Sequence, residues 1–327
     1  MASIKDIAAR ANVSVATVSH VLNSTKALSP EVVHAVRDAA SALGYRPNET
    51  ARALRTGRSN ALGLIVPDLT NPYFPTIAQV IQQQAWRLGY ALFLIDSAGD
   101  VDAERNGFDR LTDRGVDGVI WAPTTDNPSL EPEIPTVAID RFVPTVDCVS
   151  TDHRQSGAVL GHYAASLGHQ RIGFLNGPQS LVSARYRRAG IMDALPESID
   201  TVWERDVPFS LSLPAEIEVL LTDPGVTLVV GGNDAIALSA MHSLSEAGFT
   251  VPDDVSVLGF DDIPLAQLAC PPLTTVQQPL RDIGSVAVQR LHERLTGVHG
   301  APEYRELPGS LVERRSARSL PETVYST

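Results

Sequence analysis

Residues 3–23 read SIKDIAARANVSVATVSHVLN, and the spacing of their apolar residues sets the class of the N-terminal part. Ser3-Ile4-Lys5-Asp6 places a hydroxyl three residues before a carboxylate, the pattern of a capping box. Ile4, Ile7, Ala8 and Ala11 then repeat at helical spacing. Asn12-Val13 interrupts the run and Ser14 supplies a second cap. Val18, Val21 and Leu22 form the apolar face of a second helix, and Val15, Ala16, Ser19, His20 and Asn23 lie on its opposite face. Ser29-Pro30 starts a third helix, because proline is tolerated at the first helical position. Val32, Val33, Val36, Ala40 and Leu43 carry that helix to Gly44, a natural stop.

Three short helices with a tight turn between the first two predict an all-α helix-turn-helix head over residues 1–46. The second helix is anchored by its buried face, and small residues on the other face let its backbone approach a major groove. Thr17 and Ser19 then bond phosphates, which position the helix without reading sequence. Val15, Ala16 and His20 meet base edges, with Asn23 on the same face. A small helical protein–protein module fits the same pattern.

Charge is divided unevenly. Residues 1–58 hold two Lys and six Arg against two Asp and two Glu, a net +4, so the rest of the chain carries −16 of the overall −12. A basic head on an acidic body suits a nucleic-acid contact confined to one end. Residues 47–59, PNETARALRTGRS, begin with a helix-favouring run that Gly57 ends. It is too short to be stable alone, since isolated helices below roughly 12 residues are marginal. A hinge helix and a flexible linker both fit it.

From Ala61 onward, LGLIVP, YALFLID, DGVIWAP and TVAID read as buried parallel strands. Helix-like runs at 75–88 and 101–114 separate them. A second set, RIGFLNG, TLVVGG and VSVLGFDD, follows. Two sets of βα units predict a two-lobed α/β body of doubly wound parallel sheets over residues 60–327. Asn71, Tyr73 and Phe74 follow the first strand, Asp140 ends the fourth, and Asn233 and Asp261 end strands of the second set. Ligands of such sheets bind beyond the carboxyl ends of the strands. Each residue also has a structural reading: Asn71 and Asp140 as turn caps, Phe74 as core, Asp261 as a helix cap.

The segments IKDIAARANVSVATVSHVLN, LSPEVVHAV, LGYRPNETARALRTGRS, LGLIVPDLTNPYF, LGHQRIGFLNGP, VVGGNDAIALSAM, VSVLGFDD and PPLTTVQQP together resemble the lac/gal repressor family, in order and over nearly the whole chain. The resemblance implies that residues 47–59 form a hinge helix folded in a DNA-bound dimer, with Leu54 wedged into the minor groove beside Ala51 and Arg55. It implies a body like a periplasmic sugar-binding protein, with LTTV (273–276) crossing back between lobes. The N-lobe then takes about 60–151 and 279–306, and the C-lobe about 152–278 and 307–327. Arg187 matches the arginine that grips ligand in relatives, and Phe209 lies where they place a stacking aromatic, although it fits a core position too. Two departures stand out. His20 replaces the arginine most relatives carry, and Ala235 is small where some carry a polar ligand contact.

The function expected is a sequence-specific DNA-binding transcriptional regulator of repressor type. Its affinity for a palindromic operator is set by a small-molecule effector, a sugar, and it acts as a cytoplasmic homodimer. The alternative is a ligand-binding protein or sugar-acting enzyme with a fused DNA-binding head. No GxxxxGK[ST] loop or GxSxG elbow supports an enzyme. GFDD resembles a metal-binding carboxylate pair, but the family resemblance assigns it to ligand. No apolar run is long enough for a bilayer, and the N-terminus reads as a helix, not a signal peptide. Cys148 and Cys270 form no metal-ligand spacing, so neither metal nor cofactor is expected.

Overall fold

The computed structural model describes residues 2–23, 26–45, 57–223 and 225–320, without the side chain of Asn23. Ala51, Leu54 and Arg55 lie outside the described residues. Contacts divide the chain into two units, Met1–Ser59 and Asn60–Thr327.

In the first unit, α1 (Ile4–Arg10) begins where Ser3 Oγ accepts from the Asp6 N–H at 3.3 Å and Asp6 Oδ2 accepts from the Ser3 N–H at 2.8 Å. Asn12 makes the turn at φ 51°, a left-handed position that asparagine tolerates. Ser14 Oγ accepts from the Thr17 N–H at 3.0 Å and so caps α2 (Val15–Asn23). The third helix is α3 (Pro30–Ala42). Ile7, Val18 and Val36, one from each helix, are fully buried together. Three amphipathic helices thus share one small core, with the second held by both neighbours.

The body opens with β1 (Ala61–Val66), α4 (Tyr73–Arg87), β2 (Ala91–Asp96), α5 (Val101–Asp113), β3 (Gly118–Trp121), β4 (Thr136–Ile139) and β5 (Asp147–Asp152). It continues through α6 (His153–Ser166), β6 (Arg171–Asn176), α7 (Val182–Ala194), β7 (Asp200–Asp206), α8 (Ala215–Leu221) and β8 (Leu228–Gly231). The remainder is α9 (Asp234–Glu246), β9 (Ser256–Asp261), α10 (Pro264–Leu268), β10 (Thr274–Gln277), α11 (Leu280–Leu295), β11 (Tyr304–Pro308) and β12 (Ser310–Val312).

Two six-stranded sheets result, ordered β11-β5-β4-β3-β1-β2 and β12-β10-β9-β8-β6-β7. The first is parallel throughout, and the second is parallel except for β12, which runs antiparallel to β10. Each sheet anchors one lobe. The chain passes between lobes after β5, after β10 and after β11, so three strands join them. β1 lies between β2 and β3 and is buried along its whole length, as a strand covered on both faces must be.

Two sequence expectations change. YALFLID was expected to be buried, yet β2 is an edge strand whose Phe93 and Leu94 are 42% and 44% exposed. An apolar run does not say whether both of its faces find cover within one chain. LTTV was expected to be the crossing segment itself. Instead β10 is an inner strand of the second sheet, between β12 and β9, and the chain crosses immediately after it.

Candidate functional site

On α2, the buried Val18 and Val21 turn the opposite face outward: Val15 is 46% exposed, Ala16 is exposed, and Thr17, Ser19 and His20 are half-buried. Thr17 Oγ1 lies 2.8 Å from the capping Ser14 Oγ, so its hydroxyl already belongs to the helix start.

In the body, all eight candidate ligand residues line one cavity of about 220 Å³. Asn71, Tyr73, Phe74 and Asp140 come from the first lobe, and Arg187, Phe209, Asn233 and Asp261 from the second. Asn71 Oδ1 accepts from the Tyr73 N–H at 3.1 Å, and Asn233 Oδ1 caps α9 by accepting from the Ile236 N–H at 2.9 Å. Both therefore serve local structure through oxygen. Their carboxamide nitrogens are not used in those caps.

The two carboxylates stand on unusual backbone. Asp140 follows β4 at φ 68°, while Asp261 ends β9 at φ 126° with Asp262 at φ 57°. Such conformations cost on the order of 1–3 kcal/mol in a non-glycine residue and cluster at ligand sites. Here one is found in each lobe, at strand ends that face the same cavity.

Arg187 is 5% exposed and organises the second lobe's side. Its Nη1 donates to Gly232 O at 3.1 Å and lies 3.1 Å from Asp261 Oδ1. Its Nε donates to His153 Nδ1 at 3.2 Å. The guanidinium carbon is 4.2 Å from the Phe260 ring centroid and 5.7 Å from that of Phe209. Close approach of α6 and α7 seats this arginine: a Cβ at Gly157 would stand 2.4 Å from the Arg187 carbonyl oxygen. Phe209 is seated likewise, since a Cβ at Gly177 would stand 2.2 Å from its ring.

Sequence reading missed several participants. Arg141 lines the cavity and its Nη1 lies 3.4 Å from Asp140 Oδ2. The imidazole of His153 sits between lobes, with Nδ1 on Arg187 and Nε2 3.8 Å from Asp140 Oδ1. Gln278, at the second crossing, donates to Asp261 Oδ1 at 2.6 Å and accepts from Thr151 Oγ1 at 2.6 Å on the first crossing strand. Asp234, wholly buried, accepts from Thr275 Oγ1 at 2.5 Å and the Ile263 N–H at 2.9 Å. The polar residues at strand ends, DR at 140–141 and QQ at 277–278, were the available signal for Arg141 and Gln278.

Burial and neighbours split the titrations. Burial, followed by the Arg187 charge, pushes His153 down to about 4; in the neutral ring, Nδ1 accepts from Arg187 and the proton falls to Nε2. Burial works to raise Asp140, but Arg141 and His153 outweigh it and hold the carboxylate low. Burial raises Asp261 to about 6 despite Arg187. Asp234 is pushed up to about 7 by burial and then by Asp261.

The ordering of head and cleft agrees with comparisons to known proteins. Residues 3–48 match the model of bacterial regulatory proteins of the lacI family, and residues 59–311 match that of periplasmic binding proteins and the sugar-binding domain of the LacI family. The chain is 32% identical to the HTH-type transcriptional repressor PurR of Mannheimia succiniciproducens, over 98% of this chain and 100% of the relative. It is 32% identical to the ribose operon repressor of Halalkalibacterium halodurans, over 97% and 98% of the two chains. A crystal structure of the lac repressor dimer bound to operator and the anti-inducer ONPF superposes with a TM-score of 0.84 at 28% identity, covering 97% of this chain and 99% of that one.

Proposed function

The chain belongs to the lacI family of bacterial regulatory proteins, and from that premise we infer that it is a cytoplasmic, non-enzymatic repressor whose operator affinity is set by an uncharged single-ring sugar in the interlobe cleft. The head binds operator DNA through α2, with Val15, Ala16 and His20 at base edges, Thr17 and Ser19 toward the phosphates, and Asn23 among the residues that contact DNA. Ala51, Leu54 and Arg55 serve the minor groove. Two copies bind together, which calls for a two-fold symmetric site. Among the described residues no helix is long and apolar enough to cross a membrane. The exposed Phe93 and Leu94 on β2, with Trp86 and Leu268 each 78% exposed, supply apolar surface for pairing.

The observation that carries the effector class is charge balance. Among the described residues lining the cavity the cations are Arg141 and Arg187, and each already faces a carboxylate, Asp140 at 3.4 Å and Asp261 at 3.1 Å. A phosphate or carboxylate on the ligand would meet two compensated arginines and the acidic groups beside them, with its own desolvation unrelieved. A neutral polyol instead gives hydroxyl hydrogens to Asp140 and Asp261 and oxygens to Arg141 and Arg187. Phe74 and Phe209, one from each lobe, suit the C–H faces of a ring. About 220 Å³ is below the ~300–1,000 Å³ of sites for drug-sized ligands, and favours one ring over two.

Calorimetric titration of the full chain with D-ribose, other aldoses, their phosphates and free nucleobases tests the class. Operator affinity is then measured with each binder. Neutral monosaccharides should bind and change operator affinity. Tighter binding of the phosphates or bases would refute the effector class, and no effect on operator affinity would refute the regulatory role.

A further inference from the structure

Among the described residues, Asp126 joins the two lobes at a point away from the three crossings. Asp126 lies in the first lobe, in the loop after β3, and its side chain is 11% exposed. Its Oδ2 accepts from the Val182 N–H at 2.6 Å and from Arg185 Nη2 at 3.2 Å. Both donors belong to the first turn of α7, in the second lobe. That helix has Leu181 at its N-cap and no side-chain cap of its own, so the anion that a helix start favours arrives from the opposite lobe. On its other side Asp126 Oδ1 lies 3.5 Å from Arg141 Nε. Neither of these two buried atoms has a hydrogen-bond partner among the described residues.

We propose that Asp126 is an interlobe cap that seats α7 against the first lobe and thereby sets the position of Arg187 in the effector cavity. Asp126 does not line that cavity. It lines an adjoining one of about 380 Å³ on the far side of Asp140 and Arg141, so it is a positioning residue and not a ligand contact. Five residues separate Val182 from Arg187, about one and a half helical turns, and a rigid helix transmits its seating over that distance. Opening the lobes breaks the hydrogen bond from the Val182 N–H and the Arg185 pair together. Arg141, in the same lobe as Asp126, stays beside the other carboxylate oxygen at 3.5 Å whichever way the lobes move. Arg141 also faces Asp140 across the cavity wall, so a ligand that draws on Asp140 and Arg141 acts on the same cap. The inference rests on the effector reading of the cleft for its functional consequence, while the cap itself rests on the contacts alone.

The test compares Asp126→Ala, Asp126→Asn, Arg185→Ala and the Asp126→Ala/Arg185→Ala double variant in the full chain. Amide hydrogen exchange over residues 182–187 is measured without ligand, and D-ribose affinity by calorimetry. Asp126→Ala should speed exchange in that segment and weaken ribose binding about tenfold, within the usual 5- to 150-fold range of coupling between sites. Asp126→Asn keeps an acceptor for the Val182 amide and should fall between wild type and alanine. Arg185→Ala should weaken binding alone and add little to Asp126→Ala. Unchanged exchange in 182–187, or losses that simply add, would overturn the proposal. If wild-type protein binds no ribose, the exchange result still decides the cap, and that failure counts against the effector class instead. Should Asp126→Ala not fold, Asp126→Asn and Arg185→Ala carry the same comparison.

Discussion

Arg187 Nη1 stands 3.1 Å from Asp261 Oδ1, with both side chains no more than 6% exposed, and Asp261 holds φ 126° in that place. Removing one member of a buried pair strands the other, at a cost of about 3–5 kcal/mol. Here the stranded group has an escape, because Asp261 already titrates near 6 and can take up a proton. Arg187→Ala should therefore abolish the response to effector while leaving operator binding without effector nearly intact. Its loss of stability should be larger at pH 8 than at pH 5.5. Urea unfolding at the two pH values and operator titrations with and without sugar check both parts. A variant that still responds at the wild-type sugar concentration would remove Arg187 from the site.

Asp234 gives the body a pH dependence of definite sign. Its folded pKa of about 7 lies above the ordinary carboxylate value, because burial and then Asp261 oppose its charge. A group raised on folding contributes stability that is complete below its unfolded pKa and is lost as pH rises through the folded one. Asp261, at about 6, acts in the same direction at lower pH. His153 and His169, both lowered by burial, act oppositely below their unfolded value of 6.5. Of these four groups Asp234 has its raised value inside the window from pH 6.5 to 8, so stability should fall as pH rises across it. Asp234→Asn keeps an acceptor for the Ile263 amide and reverses the bond to Thr275, and should flatten the fall. Thermal melts at intervals of pH measure it, and an unchanged slope in the variant would exclude Asp234 as the source.

Phe209 depends on a glycine for its place. A Cβ on Gly177 would stand 2.2 Å from two atoms of the Phe209 ring, well inside contact distance. Gly177→Ala should displace the ring and weaken sugar binding about as much as Phe209→Ala does. The double variant should be no worse than either, since both remove the same face, the signature of coupled sites. Calorimetry on the three proteins decides it. Additive losses would mean that Gly177 acts elsewhere.

The cleft was legible in part because strand ends are legible. An apolar run followed by a polar residue, as in TVAID or VSVLGFDD, marks where a sheet stops and a ligand can begin, and Asp140 and Asp261 come from that pattern. His153 and Asp126 were not legible, and Arg141 and Gln278 were legible only as polar residues at strand ends. The roles of His153, Gln278 and Asp126 arise from pairs distant in sequence, His153 with Arg187, Gln278 with Thr151, and Asp126 with Val182, and periodicity carries no information about such pairings. The half-exposed β2 shows the same limit. Its sequence marks a strand with two apolar faces, and only the sheet order shows that one edge has no neighbour among the described residues.

His20 lies on the outward side of α2, half-buried, three residues before the helix ends at Asn23. The family resemblance implies an arginine at this position. An arginine offers a planar fork that meets the O6 and N7 acceptors of guanine together. An imidazole is shorter and, when neutral, offers one donor and one acceptor, so it cannot reproduce that bidentate contact. The base facing His20 should therefore differ from the one that arginine-bearing relatives select. His20→Arg should move selection toward guanine at that single position in each half-site and leave the rest of the palindrome unchanged. Good bidentate contacts discriminate by about 1–3 kcal/mol, a preference of roughly 5- to 150-fold, which operator selection from a random pool resolves. If both proteins return identical sites, His20 reads no base and serves as a phosphate contact or a spacer; if the change spreads over the whole half-site, the substitution has reoriented the helix instead of altering one contact.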